Sequence, residues 1–254
     1  MQNNCRPRFW EPRIFLGIVT LILVFVILFY CVTSMIISVG YQAFSENAVD
    51  AKKQVITVIL DAGHGGEDPG AVTDLAIEKD LNLIIANKLA NLLKLSEYHV
   101  VMTRSEDRLL YNSGEEDRKK YYDLYNRQKL AESYENAIFV SIHMNKFPME
   151  ECKGLQTFYG KQNEFGKKLA EEIQKSSLML DASNHRQTKA SDDSIFLLKN
   201  LSMPAALIEC GFISNPQESK MLSDEKYQNQ LAFALYTGIC KFLEDYQVEN
   251  KLCM

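Results

Sequence analysis

Hydrophobic and polar positions fall into three patterns along this chain. Ile14 to Val39 is one apolar run without a charged residue. From Val55 onward, short solid apolar runs alternate with longer stretches in which apolar residues return every three or four positions. The solid runs are VITVIL (55–60), HVVMT (99–103), AIFVSI (137–142) and AALI (205–208). Runs of this length bounded by turn formers predict strands covered on both faces. After the first run, Leu81, Ile84, Ile85, Leu89, Leu92 and Leu93 draw one stripe, which predicts a helix opening at Glu78. The same spacing predicts helices over 118–135, 163–179 and 224–246. Gly154 to Tyr159 reads as an edge-like strand, Ile195 to Leu198 as another strand, and 181–194 as a polar loop. Asn215 and Pro216 read as a helix start. The fold class expected is α/β: a layered domain with a largely parallel or mixed sheet flanked by helices, preceded by one transmembrane helix.

The first run is long enough to cross a hydrocarbon core of about 30 Å at about 1.5 Å per residue. Arg6, Arg8 and Arg13 stand before it against one acid, Glu11. The positive-inside rule places that end in the cytoplasm and the rest of the chain outside. Trp10, the single tryptophan, stands where an interfacial aromatic belongs. The organisation expected is a cytoplasmic N-terminus over 1–13, a signal anchor over 14–39, a polar linker over 40–54 and one folded domain over 55–254. A cleaved signal peptide is the rival reading, with a small-residue site near Ala43 to Ala48. Signal h-regions are shorter, about 7–15 residues.

Charge and cysteine content narrow the picture. The net charge is −5 and no basic patch interleaves with aromatics, which speaks against a nucleic-acid binder. The six cysteines are scattered, without a CxxC pair or metal-type spacing. Cys210 follows an apolar strand and reads as a small core residue.

Four polar residues share one topological address. His64 follows the first strand in DAGHGGEDPG, His143 the third, and Glu209 the late strand, while Glu78 opens the first helix of the outer domain. Parallel strands bring their carboxyl ends to one edge, where ligands collect. Two imidazoles and a carboxylate are a usual hydrolytic zinc set, and a further carboxylate off the metal suits a general base. Each also has an ordinary reading: a hydrogen-bonded loop histidine, or a glutamate paired with a helix dipole. Asp61 is a rival ligand or a supporting partner. Arg104 at a strand end suits a substrate carboxylate or a structural acid equally. His99 and His185 lack this setting, and no HExxH motif is present.

ILDAGHGGEDPGA, IEKDLNL, MTR, FVSIHMN and MPAALIECGFISNPQE, in that order, resemble the zinc-dependent N-acetylmuramoyl-L-alanine amidase family from about Val55 to the C-terminus. The resemblance implies zinc held by His64, Glu78 and His143, with Glu209 catalytic. It implies peptidoglycan as substrate, cut between the muramic acid lactyl group and L-alanine of the stem peptide. Arg104, Arg127 and Asn145 match recurring family positions, for structure or substrate placement, with Arg104 and Asn145 the candidates for contacting substrate. Met144 stands where members commonly carry a small residue, which implies a narrower wall to the site. The charged stretch from Leu109 to Tyr125 is long, which implies reshaped substrate access. One anchor plus a bare catalytic domain is similar to the spore-cortex type of endospore-forming bacteria, with the catalytic domain extracytoplasmic. A weak open zinc site leaves room for an accessory activator protein. A zinc peptidase or deacetylase on another wall bond, and a non-catalytic wall-binding scaffold, are the alternatives.

Overall fold

The computed structural model describes residues 12–50 and 56–252. The chain divides into two compact units, residues 1–54 and 55–254. In the first, helix α1 (Pro12–Asp50) contains the apolar segment Leu16–Ser38, of mean hydropathy 2.8 and with none of its window buried in protein. Leu21, Phe25, Phe29 and Met35 are exposed along it. A helix apolar on all sides and unburied is suited to lipid. The helix runs on to Asp50, so the first part of the expected linker is helical. The expectations for Arg6, Arg8, Trp10 and Glu11, for the side chain of Arg13, and for 51–55 lie outside the described residues.

The second unit is built on six strands: β1 (Thr57–Ala62), β2 (His99–Met102), β3 (Ala137–Asn145), β4 (Gln156–Tyr159), β5 (Lys189–Ala190) and β6 (Ala205–Phe212). Their order is β2-β1-β3-β6-β4-β5. The pairs β2–β1, β1–β3 and β3–β6 are parallel, while β4 runs antiparallel to β6. Helices α2 (Glu78–Leu95), α3 (Lys119–Glu132), α4 (Glu164–Ser176), α5 (Phe196–Asn200), α6 (Pro216–Leu222) and α7 (Glu225–Leu252) cover it. The mixed α/β layering is the one expected from the alternating patterns.

Three local readings change. β3 and β6 continue past their apolar runs, so His143 and Glu209 are strand residues in direct register with each other. Apolar runs report burial, whereas the ladder of backbone hydrogen bonds continues into polar sequence. Ile195 to Leu198 is not a strand: it leads into the one-turn helix α5, which buries Leu197 and Leu198. So short an apolar run does not distinguish a helical turn from a strand. β4 is not an edge strand either, since the two-residue β5, inside the stretch expected as loop, pairs along its outer side.

Alternation along the strands sorts side chains onto two unequal faces. Val58, Leu60, Ile138, Val140, Ile142 and Ile208 join the large core formed with α2, α4 and α7. Ile59, Phe139, Ala205 and Leu207 face a smaller cluster with Ala131 of α3 and Leu197 and Leu198 of α5. The second covering layer is short. It leaves room over the C-terminal ends of β1, β3 and β6, where Asp61, Ser141, His143 and Glu209 continue the same alternation. Met144 falls on the other face, 3% exposed in the large core, so it does not narrow the site. Cys210 is buried in that core, as expected. Cys31, Cys152, Cys210 and Cys240 are free thiols.

Candidate metal centre at the strand edge

At the end of β1 the chain turns into a loop over residues 63–70, and side chains capture the carbonyls where the strand ladder stops. Arg104 donates through Nε to Ala62 O at 2.8 Å and through Nη2 to Gly63 O at 3.0 Å and Lys79 O at 2.7 Å. Arg127 donates to Ala62 O at 2.9 Å and His64 O at 2.8 Å. Asn82 Nδ2 adds a bond to Gly63 O at 3.1 Å. Both arginines are 1% exposed. The charge of Arg127 is met by Asp61 at 2.5 Å and Asp123 at 3.0 Å, and Asp61 also accepts from Ser141 and Thr103. The clamp holds His64 at φ 61°, a left-handed conformation that costs a residue with a Cβ on the order of 1 kcal/mol.

That conformation brings His64 to Glu78 and His143. One ligand atom from each of the three lies within 4.8 Å of the others. Glu78 Oε1 is 3.2 Å from His64 Nε2 and 2.9 Å from His143 Nδ1, and accepts from Met144 N at 3.2 Å. Its Oε2 accepts from Ala71 N at 2.7 Å. Two glycines make the approach possible. A Cβ at Gly63 would fall inside the His143 ring, and one at Gly70 would meet Glu78 Oε2 at 2.5 Å. On its far side, His64 Nδ1 pairs with Asp68 Oδ2 at 2.9 Å, and Asp68 Oδ1 accepts from Gly70 N. Asp68 thereby turns Nε2 toward the cluster, as supporting carboxylates do for metal-binding histidines.

Glu209 stands across the β3–β6 ladder from His143. Its Oε2 is buried with no hydrogen-bond partner. An orphaned buried carboxylate oxygen beside two imidazoles and a carboxylate is a donor set that fits zinc and a water between them. Burial pushes the Glu209 carboxyl up and Glu78 adds to this, against the opposing imidazoles. Burial would raise Glu78 too, but His143 and His64 outweigh it and hold Glu78 well below the usual carboxylate range. Burial lowers the basicity of His64, and Glu78 and Asp68 more than restore it. A cavity of about 270 Å³ opens beside Glu209 and His143, walled by Phe139, Leu207, Ile195 and Phe196.

The structure unites His64, Glu78, His143 and Glu209 and separates the other candidates. Arg104 does not face substrate; its guanidinium is buried and given to backbone carbonyls, because a strand end turning inward leaves those carbonyls without a ladder. Asp61 is not a ligand but the partner of Arg127. Asn145 ends β3 half-buried, with its carbonyl accepting from Ile213 N at 2.9 Å. His99 pairs with Thr57 Oγ1, and His185 is exposed. Sequence reasoning missed the supporting role of Asp68, for which its place four residues after His64 was the available signal.

The chain matches the sequence profile of the family described as N-acetylmuramoyl-L-alanine amidase over residues 58–241. It is 36% identical over 190 residues to the germination-specific N-acetylmuramoyl-L-alanine amidase of Bacillus subtilis, covering 74% of this chain and 80% of that one. Among solved structures, it is similar to the CwlD amidase of Clostridioides difficile in complex with the GerS lipoprotein, with 42% identity, a TM-score of 0.71, and coverage of 74% and 98%. The catalytic domain of CwlV from Bacillus (Paenibacillus) polymyxa aligns at 31% identity and a TM-score of 0.63, covering 74% of this chain and 98% of that domain.

Two outcomes follow from this geometry. Asp61→Asn leaves Arg127 short of one buried counter-charge and lowers stability by about 3 kcal/mol in urea unfolding. Burial would raise the Asp61 carboxyl, but Arg127, Ser141 and Thr103 outweigh it and hold it below its ordinary 3.8. Its stabilising share is therefore full above that value and lost as pH falls through the lower folded one. The gap between wild type and Asp61→Asn is constant near neutrality and closes in acid. Gly63→Ala displaces the His143 ring; equilibrium dialysis shows weakened divalent-metal binding in a protein that still folds.

Proposed function

The chain belongs to the N-acetylmuramoyl-L-alanine amidase family, and from that premise we propose a membrane-anchored zinc amidase in which Glu209 moves the proton. The enzyme acts on peptidoglycan, hydrolysing the amide between the muramic acid lactyl group and L-alanine of the stem peptide. Its setting is the spore cortex, as the germination-specific relative suggests. His64, Glu78 and His143 would hold zinc, which when bound supplies a Lewis acid and brings the pKa of coordinated water to about 7. Glu209 takes the proton of the attacking water on its unpartnered Oε2. It holds that proton while the tetrahedral centre forms and passes it to the departing nitrogen of L-alanine. The raised carboxyl of Glu209 suits both halves of this cycle, accepting readily and donating later.

The observation that carries the reading is this buried, unpaired carboxylate facing the His–Glu–His cluster. Asp68, Arg104 and Arg127 are positioning residues that set the His64 loop. Helix α1, with Leu16–Ser38 apolar, anchors the domain over 55–254 on the extracytoplasmic side of the membrane. A lipoprotein is the class of accessory partner to look for, since the similar CwlD amidase was solved with one.

Glu209→Gln keeps about one zinc per chain by elemental analysis and loses about 10²- to 10⁴-fold in hydrolysis. Mass spectrometry of digested peptidoglycan reads the products: intact stems and free lactyl groups for an amidase, shortened stems for a peptidase, lost acetyl groups for a deacetylase. Release of stems by Glu209→Gln at the wild-type rate would refute the role given to Glu209. Asp68→Ala weakens zinc binding about 10- to 100-fold in chelator competition, and Asp68→Asn, which keeps an acceptor oxygen, weakens it less.

A further inference from the structure

Two basic side chains, Lys120 and Arg127, line the small cleft beside His64 and His143, and the fold treats them differently. Arg127 is 1% exposed and spent on Asp61, Asp123 and two backbone carbonyls. Lys120 stands in the first turn of α3, with its side chain 73% exposed. Its Nζ lies 3.4 Å from Asp68 Oδ2, an oxygen already paired with His64 Nδ1 at 2.9 Å. The other Asp68 oxygen accepts from Gly70 N at 3.2 Å. Other lysines around the same loop are held more closely, Lys119 by Glu67 at 2.7 Å and Lys79 by Asp107 at 2.6 Å.

An exposed pair as loose as that of Lys120 and Asp68 contributes little to stability. The helix does not gain from the residue either, because a cation in the first turn opposes the helix dipole. A flexible ammonium that neither the core nor its own helix needs, set in the wall of a functional cleft, is suited to an anion arriving from solvent. The cleft also adjoins the cavity beside Glu209, since Leu124, His143 and Leu197 line both. A substrate with its scissile amide at Glu209 and the histidines can therefore extend toward Lys120.

Peptidoglycan carries its negative charge on one side of that amide. The lactyl carboxyl of muramic acid is consumed in the bond, and N-acetylated sugars are neutral. The stem peptide keeps free carboxylates, beginning with the α-carboxylate of the γ-linked D-glutamate that follows L-alanine. At about 3.3–3.6 Å per extended residue, that group lies within about 7 Å of the scissile nitrogen. We propose that Lys120 binds the stem carboxylate next to L-alanine and so sets the direction of the substrate, with the stem lying toward the first turn of α3 and the glycan leaving on the other side of the metal centre. The identity of the anion rests on the amidase reading. Lys120 meets a group that does not react, so it acts on substrate binding and not on bond cleavage.

The test uses the full-length Glu209→Gln chain, zinc-loaded and in detergent micelles, so that probes bind without being cut. The probes are N-acetylmuramoyl-L-alanyl-D-glutamate with its side-chain carboxyl blocked as a methylamide, and the same molecule with the α-carboxylate replaced by a carboxamide. Both are titrated calorimetrically. An exposed ion pair at the upper end of its usual range corresponds to about fivefold in affinity. The carboxylate probe is expected to bind about fivefold more tightly than the carboxamide. Adding Lys120→Met, which keeps an apolar stem and removes the charge, is expected to abolish that preference, and adding Lys120→Arg to retain it. Zinc content by elemental analysis is expected to be the same in all three chains. Equal affinity for the two probes with Lys120 in place overturns the proposal, and so does a preference that survives Lys120→Met. A Lys120→Met chain that loses zinc together with both probes also overturns it, since the lysine would then act through Asp68 on the metal loop. Binding of neither probe overturns it as well, while release of stems from peptidoglycan by the wild-type chain tests the amidase reading separately.

Discussion

The capture of three successive carbonyls by two buried arginines is the constraint on which the site depends. A strand that ends inside a protein leaves acceptors that cost free energy unless something donates to them. Arg104 and Arg127 supply that donation to Ala62, Gly63 and His64, sharing Ala62 O between them. A guanidinium suits this because its N–H groups form a planar fork that reaches several acceptors at once. Burying the Arg127 charge is tolerable because Asp61 and Asp123 face it. Through Asp61, Thr103 and Ser141, the same network ties together β1, the end of β2, β3 and α3.

Upon that frame the chemistry needs few further parts. Left-handed backbone at His64 and absent Cβ atoms at Gly63 and Gly70 let two imidazoles and Glu78 converge. Glu78 satisfies two backbone donors as well as two histidines, so its position is set from four directions. Glu209 comes from register alone: β3 and β6 pair so that it lies opposite His143. The uneven covering of the sheet completes the arrangement. A deep layer of α2, α4 and α7 supplies the stability of the unit, and the short layer of α3 and α5 leaves the strand ends accessible.

Much of this was legible in the residue pattern. The long apolar N-terminal segment, the buried strands and the stripe of α2 are local signals, since an unbroken apolar run, burial on both faces or burial on one stripe shows within a few consecutive residues. His64, Glu78, His143 and Glu209 stand where apolar runs give way to polar residues, and that change marks strand ends in any parallel sheet. The same logic left Arg104 open between substrate and a structural partner, because a strand-end arginine looks alike whether it faces substrate or the protein's own carbonyls. The family resemblance put Met144 in the wall of the site, whereas a single step along a strand exchanges the site face for the core face. The residue pattern read α5 as a strand because a short apolar segment carries no period.

The amino-acid sequence by itself determined most of the element types and the long membrane-suited segment, and it marked His64, Glu78, His143 and Glu209 as candidates where apolar runs give way to polar residues, a set singled out by the family resemblance. Those properties depend on side-chain chemistry and short-range spacing. Only the tertiary structure decided the strand order, the opposition of Glu209 to His143, the inward commitment of Arg104 and Arg127, and the support of His64 by Asp68. Each of these depends on which groups distant in sequence meet, and on whether a buried donor finds its acceptor there.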